Sequence, residues 1–277
     1  MFFTHSFPCL PKILQEKLHS VCFPKLSLAS NFHIPRFTGS SILTDECDVL
    51  GLACVDTRMQ GSWHRLYSTN HDGRSFYKII FKLIGYEGPT CVVIRSTCGI
   101  VLGAFCNDPW KDPNRFHGSR DNFLFTLYPN LQIYKTTSRD TSFQWLNSRN
   151  GLHGIPQGIG FGGSRDTAFR LFIPESLEEC HAIGSDLTYE TGPFLPKAYM
   201  GKFELDTLEI WGTGGDDLVN AGLRGHIQRR EIIDENISRA RKVDKAQFAN
   251  SSFDQEFLLS KTFAHKVNVA DDFRPCD

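Results

Sequence analysis

The chain has 277 residues, 40% of them hydrophobic with 23 Phe, and a formal net charge of −1. That is enough apolar material for one sizeable domain with an appendage, and the lack of a basic excess argues against a dedicated nucleic-acid binder. No apolar run approaches the roughly 18 residues that a membrane-crossing helix needs.

The first zone, residues 1–45, is rich in Pro, Ser and Phe and has little periodicity. Before Asp45 the only acid is Glu16, against Lys12, Lys17, Lys25 and Arg36. Leu10–Leu18 has the spacing of a short amphipathic helix. An acid-poor, basic, Ser-containing start has the composition of an organelle targeting segment. Scarce Arg and interrupting Pro favour the other reading, an arm that packs on the domain.

The second zone, 46–213, carries strand signals separated by turn residues. Trp63–Ser68 alternates as a strand does. Asn70-His71-Asp72-Gly73 is turn chemistry. Ser75 is placed to cap a helix through Phe76, Ile79, Ile80 and Leu83, closed by Gly85. Thr90–Arg95 reads as a buried strand, Cys98-Gly99 as its turn and Ile100–Phe105 as its hairpin partner. Phe123–Leu127 and Gln132–Lys135 form a second pair around Pro129-Asn130. Further strands are expected at Gly158–Phe161, Phe169–Ile173, Lys202–Leu205 and Leu208–Trp211. Many short strands with few helices predict an α+β fold: an antiparallel two-sheet β-sandwich flanked by a few helices. The third zone, 214–277, reads as a helical C-terminal extension. Leu218–Val243 places Ile227, Ile232, Ile233, Ile237 and Ala240 among charges, with Gly222 or Gly225 as possible breaks. Phe253–Phe263 has the pattern of a second helix.

The glycine cluster Gly158-Ile159-Gly160-Phe161-Gly162-Gly163 looks like a phosphate-binding loop. A dinucleotide fingerprint, however, must leave a strand and open a helix. Here Phe169–Phe172 reads as another strand, so the glycines are expected to serve a bulge or a close backbone approach. Gly-x-Ser-x-Gly, Walker and His-Glu-x-x-His patterns are absent. The nine Cys are scattered without Cys-x-x-Cys or knuckle spacing, as suits reduced thiols in a cytosolic protein. No metal and no cofactor are expected.

The stretch Leu66–Trp211 resembles the TLDc domain of oxidation-resistance proteins. The fit is carried in order by Leu66-Tyr67-Ser68, Val92–Arg95 with Val101–Phe105, and Gly118-Ser119-Arg120-Asp121-Asn122-Phe123-Leu124-Phe125. It continues through the glycine cluster, Gly184-Ser185 with Thr188-Tyr189, and Leu208-Glu209-Ile210-Trp211-Gly212. The chain departs from the family pattern at Asp121, where Glu is usual, and at Pro174, where an Asp tends to stand. The resemblance implies a β-sandwich at 46–213 with no established reaction. It implies a monomeric interaction module that binds the soluble sector of the V-type proton ATPase, regulates its assembly and contributes to oxidative-stress resistance. Such a module would be cytoplasmic and peripheral at a vacuolar or lysosomal membrane. The binding residues expected on this basis are Gly158, Gly160, Gly162, Gly163, Asp121, Glu209 and Trp211. Two alternatives stay open. Asp121 is the first candidate for a hydrolase using acidic residues, with a turn-stabilising carboxylate as the other reading of that residue. A sacrificial antioxidant would need an exposed, reactive thiol, for which Cys276 is the candidate.

Overall fold

The computed structural model describes residues 35–44, 46–111, 115–148, 156–163, 168–196 and 200–250. The chain divides into two compact units, Met1–Leu223 and Arg224–Asp277. Among the described residues the first contains ten antiparallel strands: β1 His64–Ser68, β2 Thr90–Ser96, β3 Val101–Cys106, β4 Phe123–Tyr128, β5 Gln132–Lys135, β6 Trp145–Asn147, β7 Gly158–Phe161, β8 Leu171–Pro174, β9 Glu179–Ala182 and β10 Lys202–Gly212. Four α-helices accompany them among the described residues: α1 Glu46–Val55, the single turn α2 Thr69–Asp72, α3 Phe76–Leu83 and α4 Asp216–Asn250.

Strand β10 organises the sandwich. Its first residues pair with β9, and from Leu205 onward it pairs with β2. The register slips between Leu205 and Thr207, a bulge of the kind that bends a strand. Arg74 Nη2 donates to the carbonyls of Leu205 at 2.7 Å and Asp206 at 2.9 Å, satisfying groups at the bend. One sheet therefore runs β5-β4-β3-β2-β10-β1 and the other β10-β9-β8-β7-β6. The expected strands 202–205 and 208–211 are one continuous strand, because the bulge lets it serve both sheets.

Val92, Ile94, Leu102, Ala104 and Leu124 of the first sheet share one core with Ile159, Phe161, Leu171, Ile173 and Leu205 of the second. The alternate residues Cys91, Val93, Phe105, Phe125 and Trp211 bury the other face of the first sheet against Val49, Leu52, Ala53, Met59 and Trp63. Strand β2 is thus covered on both sides. That is why its sequence is an unbroken apolar run instead of an alternating one.

The expected α3 is present: Ser75 Oγ accepts from Lys78 N at 3.4 Å, and Phe76, Ile79 and Leu83 are buried. The sequence reading missed α1, β6 and β9. In α1 the apolar residues fall on all sides of the helix, leaving no stripe to recognise. Helix α4 runs unbroken through Gly222 and Gly225, which corrects the expected break. A Cβ on Gly222 would stand 3.3 Å from the Gly85 carbonyl, so this glycine lets the helix lie close to the turn after α3. The expected helix at 253–263, Cys276 and residues 1–34 of the possible targeting segment lie outside the described residues.

Candidate functional site

The glycine cluster ends in a turn built on a buried ion pair. Gly162 and Gly163 have φ of +63° and +73°, a left-handed backbone that favours glycine. A Cβ on Gly162 would collide with the Asp186 carboxylate and the Arg170 stem, and one on Gly163 with the Ala168 carbonyl. Within β7, a Cβ on Gly160 would stand 2.5 Å from the Phe169 ring. Asp186 accepts the amides of Gly163 at 3.2 Å, Thr188 at 2.9 Å and Tyr189 at 3.2 Å. Behind it, Arg170 is fully buried, its Nε 3.6 Å from Asp186 Oδ1.

The Arg170 guanidinium also donates to the carbonyls of Ile183, Glu190 and Gly192 and lies against the rings of Tyr134 and Phe194. Burial lowers its pKa, and the Asp186 charge opposes that shift. The Gly163 amide is therefore already occupied by a carboxylate, and β8 follows where a phosphate-binding loop would open a helix. Beside this turn lies a hollow of about 440 Å³ lined by Asp140, Gly163, Ile183, Asp186 and Leu187 among others. The Leu187 side chain at its rim is 63% exposed.

Asp121 sits on the turn before β4. It accepts from Arg58 Nη1 at 3.0 Å, with its own side chain 56% exposed. Arg58 also grips Asp56 through Nε at 2.8 Å and Nη2 at 2.6 Å, reaches Asn107 and lies over the Phe105 ring. Burial works to raise the Asp56 carboxyl, but the Arg58 hydrogen bonds and charge hold it below its usual value. The neighbouring Asn122 ties this turn to the end of β3 and to the Gln144 side chain. The Asn122 side chain accepts from Asn107 N at 2.9 Å and donates to Gln144 at 2.9 Å.

Glu209 and Trp211 are both fully buried in β10. Residues 35–44 cross this part of the sheet as a strap. Arg36 exchanges backbone hydrogen bonds with Gly61 and Trp63, and Phe37 packs against Trp63 and Trp211. Ser40 and Ser41 then reach the Glu209 carboxylate. Sequence reasoning found Glu209 but not the serines that hold it. Nothing in their spacing signals a contact across 168 positions.

Cys91, Cys106 and Cys180 are buried, and burial pushes each thiol up, Cys180 to about 12. Thiolate chemistry is suppressed at all three. Cys98 is exposed. Among the described residues no group of three His, Cys, Asp or Glu is arranged to hold a metal ion, and no helix is long and apolar enough to cross a membrane.

The fold and these sites define an antiparallel β-sandwich whose most distinctive sequence motifs stabilise the architecture. The family model for the TLDc domain matches residues 37–214, and the chain belongs to that family. It is 29% identical over 162 residues to the mTOR-associated protein MEAK7 of Gallus gallus, covering 58% of this chain and 33% of that protein. It is 26% identical over 172 residues to the MEAK7 of Homo sapiens, covering 60% and 36%. It is also 27% identical over 178 residues to oxidation resistance protein 1 of Xenopus tropicalis, covering 62% and 18%. The chain thus spans about a third or less of the length of these curated relatives.

Proposed function

We infer that this chain is a non-enzymatic TLDc interaction module that docks on the soluble sector of a V-type proton ATPase, regulates its assembly and so contributes to oxidative-stress resistance. The relatives support the general form of this reading. One group is named for association with mTOR, which suits a module acting through bound proteins, and the other for oxidation resistance. The ATPase itself comes from the family resemblance. The module is read as a cytoplasmic monomer, peripheral at the vacuolar or lysosomal membrane.

The observation that carries an interaction role is the exposure of large apolar side chains along α4. Leu223 is 55% exposed, Ile227 and Ile232 are each 57% exposed, and Ile237 is 44% exposed. At about 100° per residue, Leu223, Ile227 and Ile237 share one side of the helix. Ile232 lies roughly 140° round from Ile227. Exposed apolar residues at helical spacing are the usual currency of helix-in-groove recognition. The hollow beside Gly163, with Leu187 at its rim, is a second contact on this reading. Two modest contacts on one chain strengthen each other through effective concentration.

The test is retention of the ATPase soluble sector by the full chain and by a chain ending at Leu223. The cut falls there because Val219 and Gly222 pack on the first unit. Retention lost on truncation supports the helix as a contact. Equal retention by both chains removes the part of α4 beyond Leu223 from the account, and retention by neither removes the ATPase.

A further inference from the structure

The strap and the carboxylate beneath it form a site of another kind, independent of the ATPase reading. Glu209 receives hydrogen bonds from Ser40 Oγ at 2.6 Å, Ser41 N at 2.8 Å, Ser41 Oγ at 2.8 Å and Trp211 Nε1 at 3.2 Å. Three of these four belong to the strap, and all four donors are neutral. Arg95 holds the Ser41 carbonyl at 2.7 Å, but its charge is paired with Asp206 at 2.8 Å. Among the described residues Glu209 is satisfied only by neutral donors, and a buried carboxylate held that way depends on every one of them.

The serine hydroxyls are fully engaged. Ser40 Oγ gives its proton to Glu209 and accepts the amides of Ile42 at 3.1 Å and Leu43 at 2.8 Å. Ser41 Oγ gives its proton to Glu209 and accepts from the exposed Asn70 at 3.0 Å. Ser41 is thus the hydroxyl with a solvent-facing neighbour.

We propose that Ser41 is a phosphorylation site, and that a phosphoryl group there lifts the strap off β10. A protein kinase would supply the group from a nucleoside triphosphate. The Oγ–P bond forms as the β–γ anhydride bond breaks, the nucleoside diphosphate leaves, and the hydroxyl proton passes to the kinase's base. The product has lost the donor that Glu209 uses. It also carries a charge of about −1.5 to −2 beside a buried carboxylate. Repulsion and desolvation then oppose docking of Ser40 and Ser41, and Phe37, Ile42 and Leu43 leave with them. What the strap uncovers is Glu209 with Trp63 and Trp211, an acidic and aromatic patch.

The experiment is amide hydrogen exchange on the full chain, comparing wild type with Ser41→Asp, Ser41→Ala and Ser41→Asp combined with Glu209→Gln. In Ser41→Asp the amides of the strap and of Trp63 exchange at least about tenfold faster, while β2, β3 and β4 stay within about twofold, as local opening requires. Ser41→Ala, which keeps the Ser41 amide, shifts the strap by only about threefold. Adding Glu209→Gln returns the strap to within about threefold of wild type, because the repulsion is gone.

Unchanged or slower strap exchange in Ser41→Asp overturns the proposal, the slower case placing the anion on Arg95. Release that persists with Glu209→Gln also overturns it, since lost bonding and not charge would then be responsible. If Ser41→Asp fails to fold, wild type folded first and phosphorylated afterwards takes its place, and phosphatase treatment must restore protection. Mass spectrometry of the 36–48 peptide from protein recovered from its own cells tests occurrence. Phosphate at Ser41 supports the site, and its absence under resting and oxidant-stressed growth overturns it.

Discussion

The glycine turn and the long helix α4 treat apolar and polar groups in opposite ways. At Gly158, Gly160, Gly162 and Gly163 the space a Cβ would need is already taken. Glycine admits the Phe169 ring and the Asp186 carboxylate, and a buried guanidinium stands behind. Along α4 from Arg224 to Arg239, the described side chains are exposed apart from the partly covered Gly225 and His226. The motif most visible in the sequence is thus an architectural device, whereas α4 is the segment that the proposed function has facing a partner. A conspicuous glycine cluster reports how closely backbones approach, and it says little by itself about ligands.

The largest effect is expected where the turn is held. Asp186→Ala leaves Arg170 buried without its carboxylate and three amides without their acceptor. It should cost about 3–5 kcal/mol, the range for breaking a buried pair. Urea denaturation followed by tryptophan fluorescence measures this, and a loss below about 1 kcal/mol would remove the pair from its role as the turn's foundation. Gly162→Ala comes next. A left-handed φ and a collision with Asp186 should together cost about 1–3 kcal/mol. An alanine variant as stable as wild type would show that the turn has slack.

Acid titration tests the ion pairs of the first unit. The Arg95 hydrogen bond and charge hold the Asp206 carboxyl below its usual 3.8. The Arg58 fork does the same for Asp56 against the opposing effect of burial. A carboxyl depressed in the folded state contributes stability above its unfolded pKa and loses it as pH falls through the folded value. Stability should therefore decline below about pH 4. Asp206→Asn should flatten that decline in chemical denaturation at pH 3 to 5, and an unchanged slope would contradict the assignment.

Two smaller effects separate architecture from surface. Asp121→Asn, which weakens a half-exposed pair with Arg58, should cost under about 1 kcal/mol. A greater loss would give Asp121 a structural weight that its exposure does not suggest. Ile227→Asp with Ile237→Asp should change stability by no more than about 0.5 kcal/mol, as exposed substitutions usually do. A larger drop in melting temperature would mean that these side chains are covered in solution.

Much of the sandwich was legible because hairpins announce themselves locally. Cys98-Gly99 and Pro129-Asn130 punctuate apolar runs, and Ser75 marks the start of α3. Features that depend on contacts distant in sequence were not legible. The fusion of 202–205 and 208–211 into one strand rests on a bulge satisfied by Arg74, more than a hundred positions away. Helix α1 buries Val49, Leu52 and Ala53 on one face but carries apolar residues on the others too, so no stripe stands out, and Gly222 resembles a breaker only until the turn it packs against is known. At the sites, Asp121, Glu209 and the glycines could be named from their motifs. Their partners Arg58, Ser40, Ser41, Arg170 and Asp186 could not, since side-chain pairing across sheets leaves no spacing to read.

The central claim is that α4 serves binding and the glycine turn serves the fold. Its most direct test is one pull-down of detached and membrane-bound V-type ATPase, with and without Mg-ATP, using wild type and the Ile227→Asp, Ile237→Asp chain side by side. The account predicts that wild type retains the soluble sector, and that the double variant, equally well folded, loses most of that retention. Retention undiminished in the double variant would contradict the role given to the helix, and no retention by wild type under either condition would contradict the choice of partner.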